Sequence, residues 1–260
     1  MQTGAPRWSA DFAGCHALVT GAAGGLGSAV ARLVAGHGGS VTLLEHPVRQ
    51  HELDSLTREL TAAGHSVQGM AVDVAASEQV ASAFSLATRE LGPVTNLVNV
   101  AGIYETGELA LDDIDDWHRV IAVNLLGARN TCRAFLDLAP SGTYRTIVNI
   151  SSDSARDVAA GDGIYAASKA ALEVYTQHLA LEQGGSGVRV NAIAPGWMRT
   201  RMTETIWNDP SALAEAERGV ALGYLAQPEE VAQVALFLSS GAASYITGQV
   251  LTVNGGRSFP

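Results

Sequence analysis

The sequence predicts an α/β fold with a doubly wound, mostly parallel sheet of seven strands and helices on both faces. Three observations lead there. Short apolar runs alternate with longer stretches of helical periodicity along all 260 residues, the pattern of successive βαβ units. Hydrophobic residues make up 47% of the chain and charged ones 16%, enough apolar surface for a large core and too little charge for a disordered chain. No Pro/Ser-rich linker, low-complexity tract or repeat interrupts the pattern, so one domain over residues 1–260 is expected.

Strands are expected at 17–20, 41–45, 68–72, 96–99, 146–150, 188–193 and 250–253, and helices at 26–36, 50–63, 78–91, 117–138, 165–183 and 228–238. Right-handed crossovers then put ligands at the carboxyl ends of the strands. Residues 197–227 break the rhythm with an insertion between the sixth strand and the helix opened by Gln227-Pro228. Excursions of this length inside a compact domain are usually lids or binding loops.

Composition excludes several classes of function. The net charge is −10, which argues against nucleic-acid binding, since phosphate contacts need a clustered basic surface. No apolar run reaches the ~18 residues of a membrane span. The opening MQTGAPRWSADFAG lacks an apolar h-region, so no signal peptide is expected and the protein reads as cytoplasmic. Cys15 and Cys132 make neither a disulfide framework nor a metal cluster, and no metal is expected. Of the 16 basic residues 15 are arginine, which singles out the one lysine, Lys169, for a task a guanidinium cannot perform.

After the first strand the chain reads Thr20-Gly21-Ala22-Ala23-Gly24-Gly25-Leu26-Gly27 and then turns helical. Unpaired N–H groups and the positive dipole end of a helix N-terminus suit a pyrophosphate, and glycine is needed where a Cβ would block the turn. In this strand-to-helix context the motif predicts dinucleotide binding through Gly21, Ala23, Gly25, Leu26 and Gly27. Glu45 ends the second strand, where a carboxylate accepts ribose hydroxyl protons and repels a 2′-phosphate. No compensating positive charge is apparent nearby, which favours NAD over NADP. Asp73 and Val74, closing the third strand, are placed to bond the adenine; Asp73 reads equally well as a strand-end cap.

Tyr165-Ala166-Ala167-Ser168-Lys169 opens a helical segment, and i and i+4 share a helix face. Lowering a phenol from its usual pKa near 10 to neutrality costs roughly 4 kcal/mol, which a nearby ammonium in a desolvated cleft, with an oxidised nicotinamide, can supply. Tyr165 is then a general acid/base. Ser151, Ser152 and Ser154 each follow the fifth strand closely enough to bond the oxygen that Tyr165 protonates. Asn124 lies in an apolar helical stretch, either to hold a water in a proton path or as a satisfied core amide.

Together these features resemble the short-chain dehydrogenase/reductase family over about residues 12–257. Thr20 through Gly27 looks like the family's T-G-x-x-x-G-x-G and Tyr165 to Lys169 like its Y-x-x-x-K. Asn99-Val100-Ala101-Gly102 is similar to its N-N-A-G, with Val100 departing. The resemblance implies a Rossmann-type sheet and selects Ser152, thirteen residues before the tyrosine, together with Asn124 as catalytic partners of Tyr165 and Lys169. It implies cofactor contacts at Asn99, Ala101 and Gly102, and at Pro195, Gly196, Met198 and Thr200 for the nicotinamide half. It also implies a homotetramer built on the helices at 117–138 and 165–183. The polar stretch Asp153-Ser154-Ala155-Arg156-Asp157 and Tyr224 depart from the usual family pattern.

The expected activity is NAD-dependent interconversion of a secondary alcohol and a ketone. The substrate is expected to be small to medium, cyclic or hydrophobic, bounded by Trp197, Met202, Ile206 and Trp207 with Asp153 nearby. Reduction of a 3-oxoacyl thioester is the alternative, with Arg199 and Arg201 facing a phosphopantetheine, and a non-catalytic cofactor-binding regulator is a more remote one.

Overall fold

The computed structural model describes residues 12–111, 113–138 and 144–258. Seven strands, β1 (His16–Thr20), β2 (Ser40–Glu45), β3 (Val67–Ala71), β4 (Asn96–Asn99), β5 (Arg145–Ile150), β6 (Val188–Pro195) and β7 (Val250–Val253), stand in the order β3-β2-β1-β4-β5-β6-β7. Every neighbouring pair is parallel. The strand order reverses between β1 and β4, so their carboxyl ends diverge into a crevice, the place where open α/β sheets bind ligands. This is the Rossmann-like sheet that the sequence pattern predicts.

Successive strand residues point to opposite faces, and both faces are covered. Ala17 and Val19 of β1 pack with α1 (Gly25–Gly36), α2 (Gln50–Ala62) and α9 (Pro228–Ser239). Leu18, between them, packs on the other face with α3 (Ser77–Leu91), α5 (Ala128–Asp137) and α6 (Gly163–Gln183). Each such fully buried aliphatic side chain contributes roughly 1.5–3 kcal/mol relative to exposure. Polar residues buried within the sheet are paired: the Asn99 amide donates to Asn149 Oδ1 at 2.9 Å, and the Asn149 amide donates to Thr176 Oγ1 at 2.9 Å. The cost of desolvating them is offset by these bonds, which also lock strand to helix.

One element differs from the sequence reading. The helix expected at 117–138 is α4 (Ile114–Ile121), a π turn over Ala122–Gly127, and then α5. The Asp113 carboxylate caps α4 by accepting the Asp115 N–H at 3.0 Å, which moves the start forward. The π turn adds one residue to the winding, a device common at functional sites, and Asn124 sits inside it.

The excursion at 197–227 is closed at its base by a parallel bridge between Met198 and Ala226, with Arg199 N–H donating to Ala226 O at 2.9 Å. It carries α7 (Glu204–Trp207) and α8 (Pro210–Arg218), the latter capped by Asp209 with Pro210 in its first turn. Ala216, Val220 and Leu225 form a small core of their own, with Trp197, Ile206, Trp207 and Leu213 packed on it. Among the described residues no helix is long and apolar enough to cross a membrane.

Candidate active site

The glycine turn leaves β1 through Thr20, whose hydroxyl accepts the N–H groups of Val100 at 3.0 Å and Ala101 at 3.1 Å. This pins the exit of β4 beside the exit of β1. Gly21 has φ +59°, and a Cβ there would stand 2.9 Å from Ala101 Cα; at Gly27 a Cβ would run into the carbonyl oxygen of Gly21. The tight approach of turn, strand and helix therefore requires glycine at both. Helix α1 begins with Gly24 as its cap, without a capping side chain and without an acid in its first turn. Its end thus presents donors and a positive dipole to the crevice, a fit for a pyrophosphate. Leu26 is buried beneath it, and Gly25 lies against the methyl group of Thr200 across the crevice.

Glu45 is 6% exposed, and its carboxylate accepts the backbone N–H of Ala23 at 2.9 Å and of His46 at 2.8 Å. A positive charge does stand beside it, contrary to the sequence reading. Arg49 Nη1 lies 3.7 Å from Glu45 Oε2, and Arg49 Nη2 donates to Ala23 O at 2.9 Å. Asp73 follows β3, its carboxylate accepting the Ala75 N–H at 2.9 Å, while Val74 is buried against Gly127 of the π turn. Asn99 spends its side chain on Asn149, Thr131 and Cys132. Its part in the site is to fix the strand from which Ala101 and Gly102 emerge.

Asn124, Ser152, Tyr165 and Lys169 meet at the carboxyl end of β5, all of them buried. The Ser152 hydroxyl lies close enough to the Tyr165 phenol to hold its pKa down, and its oxygen accepts the Ser154 N–H at 3.2 Å. Lys169 Nζ lies 5.6 Å from the centroid of the Tyr165 ring and donates to Ile150 O at 2.8 Å, which leaves further donors on the ammonium. Gly102 closes this corner: a Cβ on it would come 3.3 Å from Lys169 Nζ and 3.4 Å from Asn124 Oδ1. The Asn124 side chain accepts Ile103 N–H at 2.8 Å and donates to Ile103 O and Ser168 Oγ at 3.0 Å each. It ties the loop after β4 to α6.

Burial sets the protonation of the pair. It pushes the Tyr165 phenol up to about 12, opposed by the Ser152 hydroxyl and reinforced by Asp153 and Asp162. It pushes the Lys169 ammonium down to about 8. In the chain alone the acidifying influence expected of Lys169 is thus outweighed by desolvation, and the site stores a neutral phenol beside a labile ammonium.

On the substrate side the structure adds residues that sequence reasoning missed. Tyr104 packs edge-on against Tyr165, ring centroids 4.9 Å apart, and donates its hydroxyl to Asp162 at 2.6 Å. Arg257 lies over the Trp197 ring at 4.1 Å and pairs with Asp153 and Asp157. Pro195 and Gly196 leave β6 against Asn254, and Thr200 is held by Thr203 and by the Trp207 indole N–H, which donates to Thr200 O at 2.8 Å. Trp207 and Ile206 thus build the excursion itself, and Met202 is 48% exposed on its 3₁₀ turn. Arg199 and Arg201 are engaged with Glu217 and Glu52 respectively.

Comparison with known proteins agrees with this geometry. Residues 21–258 match a family model described as enoyl-(acyl carrier protein) reductase. The chain is 38% identical over 253 residues to 3beta-hydroxysteroid dehydrogenase 1 of Eggerthella lenta, covering 96% of this chain and 95% of that one. It is 36% identical over 239 residues to the 3-oxoacyl-[acyl-carrier-protein] reductase FabG of Thermotoga maritima, covering 92% and 96%. A blue fluorescent protein from a metagenomic library, solved in complex with NADPH, superposes with a TM-score of 0.88 at 31% identity over 96% of this chain and 100% of that one. The chain belongs to the short-chain dehydrogenase/reductase family and is an oxidoreductase of that family, whose members bind nicotinamide cofactors.

Proposed function

We propose that the protein is an NAD(H)-dependent dehydrogenase that interconverts a secondary alcohol and a ketone, with Tyr165 as general acid/base. The observation that carries this reading is the burial together of Ser152, Tyr165 and Lys169, with the Lys169 ammonium 5.6 Å from the centre of the Tyr165 ring, beside the glycine turn. The nicotinamide, when bound, supplies the hydride acceptor or donor and, when oxidised, a positive charge. In oxidation the ionised Tyr165 oxygen takes the hydroxyl proton of the substrate while the carbinol C–H electron pair leaves as hydride. Ser152 donates a hydrogen bond to the substrate oxygen and orients it. Lys169 holds its ammonium below the phenol and favours the ionised form, with its spare donors available to a ribose. Asn124 positions the loop at Ile103 and the start of a proton path. In reduction the same proton returns from Tyr165 to the ketone oxygen.

NAD rather than NADP is supported by the Glu45 carboxylate, buried and directed at the glycine turn, where ribose hydroxyls can donate to it. A homotetramer is supported by apolar side chains exposed on α4–α5 and α6, with Ile114 63%, Val174 54% and Leu181 83% exposed. The similarity to a 3-oxoacyl thioester reductase favours a second reading, but both arginines that would greet a phosphopantetheine are paired with carboxylates. Replacing Tyr165 by Phe tests the proposal: turnover of secondary alcohols should fall ~10²-fold or more while NADH affinity, read by fluorescence titration, stays within a few-fold. Unchanged turnover would remove Tyr165 from the mechanism.

A further inference from the structure

The catalytic serine is followed directly by a carboxylate in an unusual state. Asp153 is 3% exposed, yet its strongest partner, Arg257 Nη1, stands 3.4 Å away, and the second arm of that guanidinium lies 3.6 Å from Asp157. Charge-assisted N–H···O bonds normally close to about 2.7–2.9 Å. The Asn254 side chain, shared with Ser258, and the Ser154 N–H also bond Asp153. Glu173, a buried carboxylate on the neighbouring turn of α6, shows the contrast: Ser151 donates to it at 3.0 Å and Arg156 pairs with it at 3.0 Å. An ionised carboxylate has about four lone-pair sites, and Arg257, Asn254 and the Ser154 N–H occupy three of them, so Asp153 keeps one acceptor site open.

Its position gives that capacity a use. Asp153 is close enough to raise the pKa of the Tyr165 phenol, and Arg257 is felt by Tyr104, whose ring touches Tyr165. Two carboxylates, Asp153 and Asp157, share the Arg257 guanidinium, and a third, Asp162, accepts the Tyr104 hydroxyl on the same side of the reacting phenol. A substrate carboxylate or phosphate would meet excess negative charge here, while a neutral hydroxyl meets an acceptor. A buried acceptor discriminates strongly against an analogue that lacks the donor.

We infer that Asp153, held by Arg257, accepts a hydrogen bond from a second hydroxyl on the substrate, so that the preferred substrate is a diol or its hydroxyketone rather than a simple alcohol. The inference rests on the dehydrogenase reading and narrows the hydrophobic substrate expected from the insertion to a ring or chain that carries two neighbouring hydroxyls. Only one of these is oxidised; the other stays as the anchor.

The test compares matched pairs with the full chain and either NAD or NADP: cyclohexanol against cyclohexane-1,2-diol, and 2-butanol against 2,3-butanediol. The wild-type protein should favour the diol of at least one pair by tenfold or more in kcat/KM. Asp153→Ala and the near-isosteric Asp153→Asn should lower that diol-to-alcohol ratio at least fivefold, the Asn variant less than the Ala variant. Reading the ratio separates recognition from any general loss of activity, and NADH titration verifies that each variant is folded. Equal turnover of alcohol and diol by the wild type, or a ratio unmoved in both variants, overturns the inference and leaves the dehydrogenase reading standing. Absence of turnover throughout both pairs, with NADH still bound, overturns the inference and counts against that reading as well.

Discussion

The two ends of the crevice are built in different ways. The glycine turn is made of backbone: a positive φ at Gly21, a collision avoided at Gly27 and two N–H groups gathered on Thr20. The substrate end is made of side chains brought from distant parts of the chain, Arg257 reaching Asp153 across 104 positions and Tyr104 reaching Asp162 across 58. A binding surface of backbone suits a ligand common to many proteins, because its chemistry does not depend on which side chains surround it. A surface of side chains can be rewritten without disturbing the sheet. Near-equal identity to a steroid dehydrogenase and to a thioester reductase follows from that division of labour.

Asn124, Ser152, Tyr165 and Lys169, the proposed catalytic set, stand between these ends and are costly to bury, so they offer the largest effects. Lys169, with its ammonium pushed down to about 8 by burial, binds a proton more weakly in the folded than in the unfolded chain, whose lysine titrates near 10.5. The unfolded state therefore holds the extra proton between pH 8 and 10.5, and stability rises with pH across that window. Below it the cost of burying the charge is paid in full. Lys169→Met removes this dependence. The stability advantage of the Met variant over wild type, measured by urea unfolding without cofactor, should shrink by about 3 kcal/mol between pH 7.5 and 10.5. Taking the difference between the two proteins cancels Cys132 and Tyr165, whose raised values lower stability from about pH 9 and 10 upward in both. A difference that stays constant with pH would mean that the ammonium is better solvated than its burial implies.

A smaller effect is expected at Asn124, which belongs to both ends because it holds the loop leaving β4. Asn124→Ala strips partners from Ile103 N–H, Ile103 O and Ser168 Oγ in a buried setting, at a cost of about 1–3 kcal/mol. Since Tyr104 follows Ile103 in that loop, kcat should fall together with stability. Asn124→Asp keeps the acceptor for Ile103 N–H but sets a carboxylate oxygen against Ile103 O in a buried place, and should recover no stability.

How much could be read from the sequence follows the same division. The strands, the glycine turn and the Tyr165–Lys169 spacing rest on local periodicity and on glycines with steric work to do, so they were legible. The π turn was not, because Val123-Asn124-Leu125-Leu126-Gly127 is apolar on all sides and one extra residue of winding leaves no mark on such a pattern. Arg257 follows Gly255 and Gly256, and nothing in their neighbourhood points to a partner near residue 153. Arg49 is subtler. It stands four residues after Glu45, but those residues cross a strand end and the 3₁₀ turn Pro47–Arg49, where the helical i,i+4 rule does not apply.

That overlooked arginine sharpens the contrast between a backbone-built phosphate end and a side-chain-built substrate end, because it puts a side-chain choice at the former. Glu45 repels a 2′-phosphate and Arg49 would attract one, and they neutralise each other at 3.7 Å. Removing the acid should shift the ratio of kcat/KM for NAD over NADP downward by roughly tenfold in Glu45→Ala, about 1.4 kcal/mol. Removing the base should move the same ratio upward by a few-fold in Arg49→Ala, since the carboxylate then acts unopposed. Should Arg49→Ala instead weaken NAD and leave NADP untouched, its task would be to hold Glu45 and Ala23 in place. Cofactor choice would then be set by one carboxylate and the geometry that steadies it.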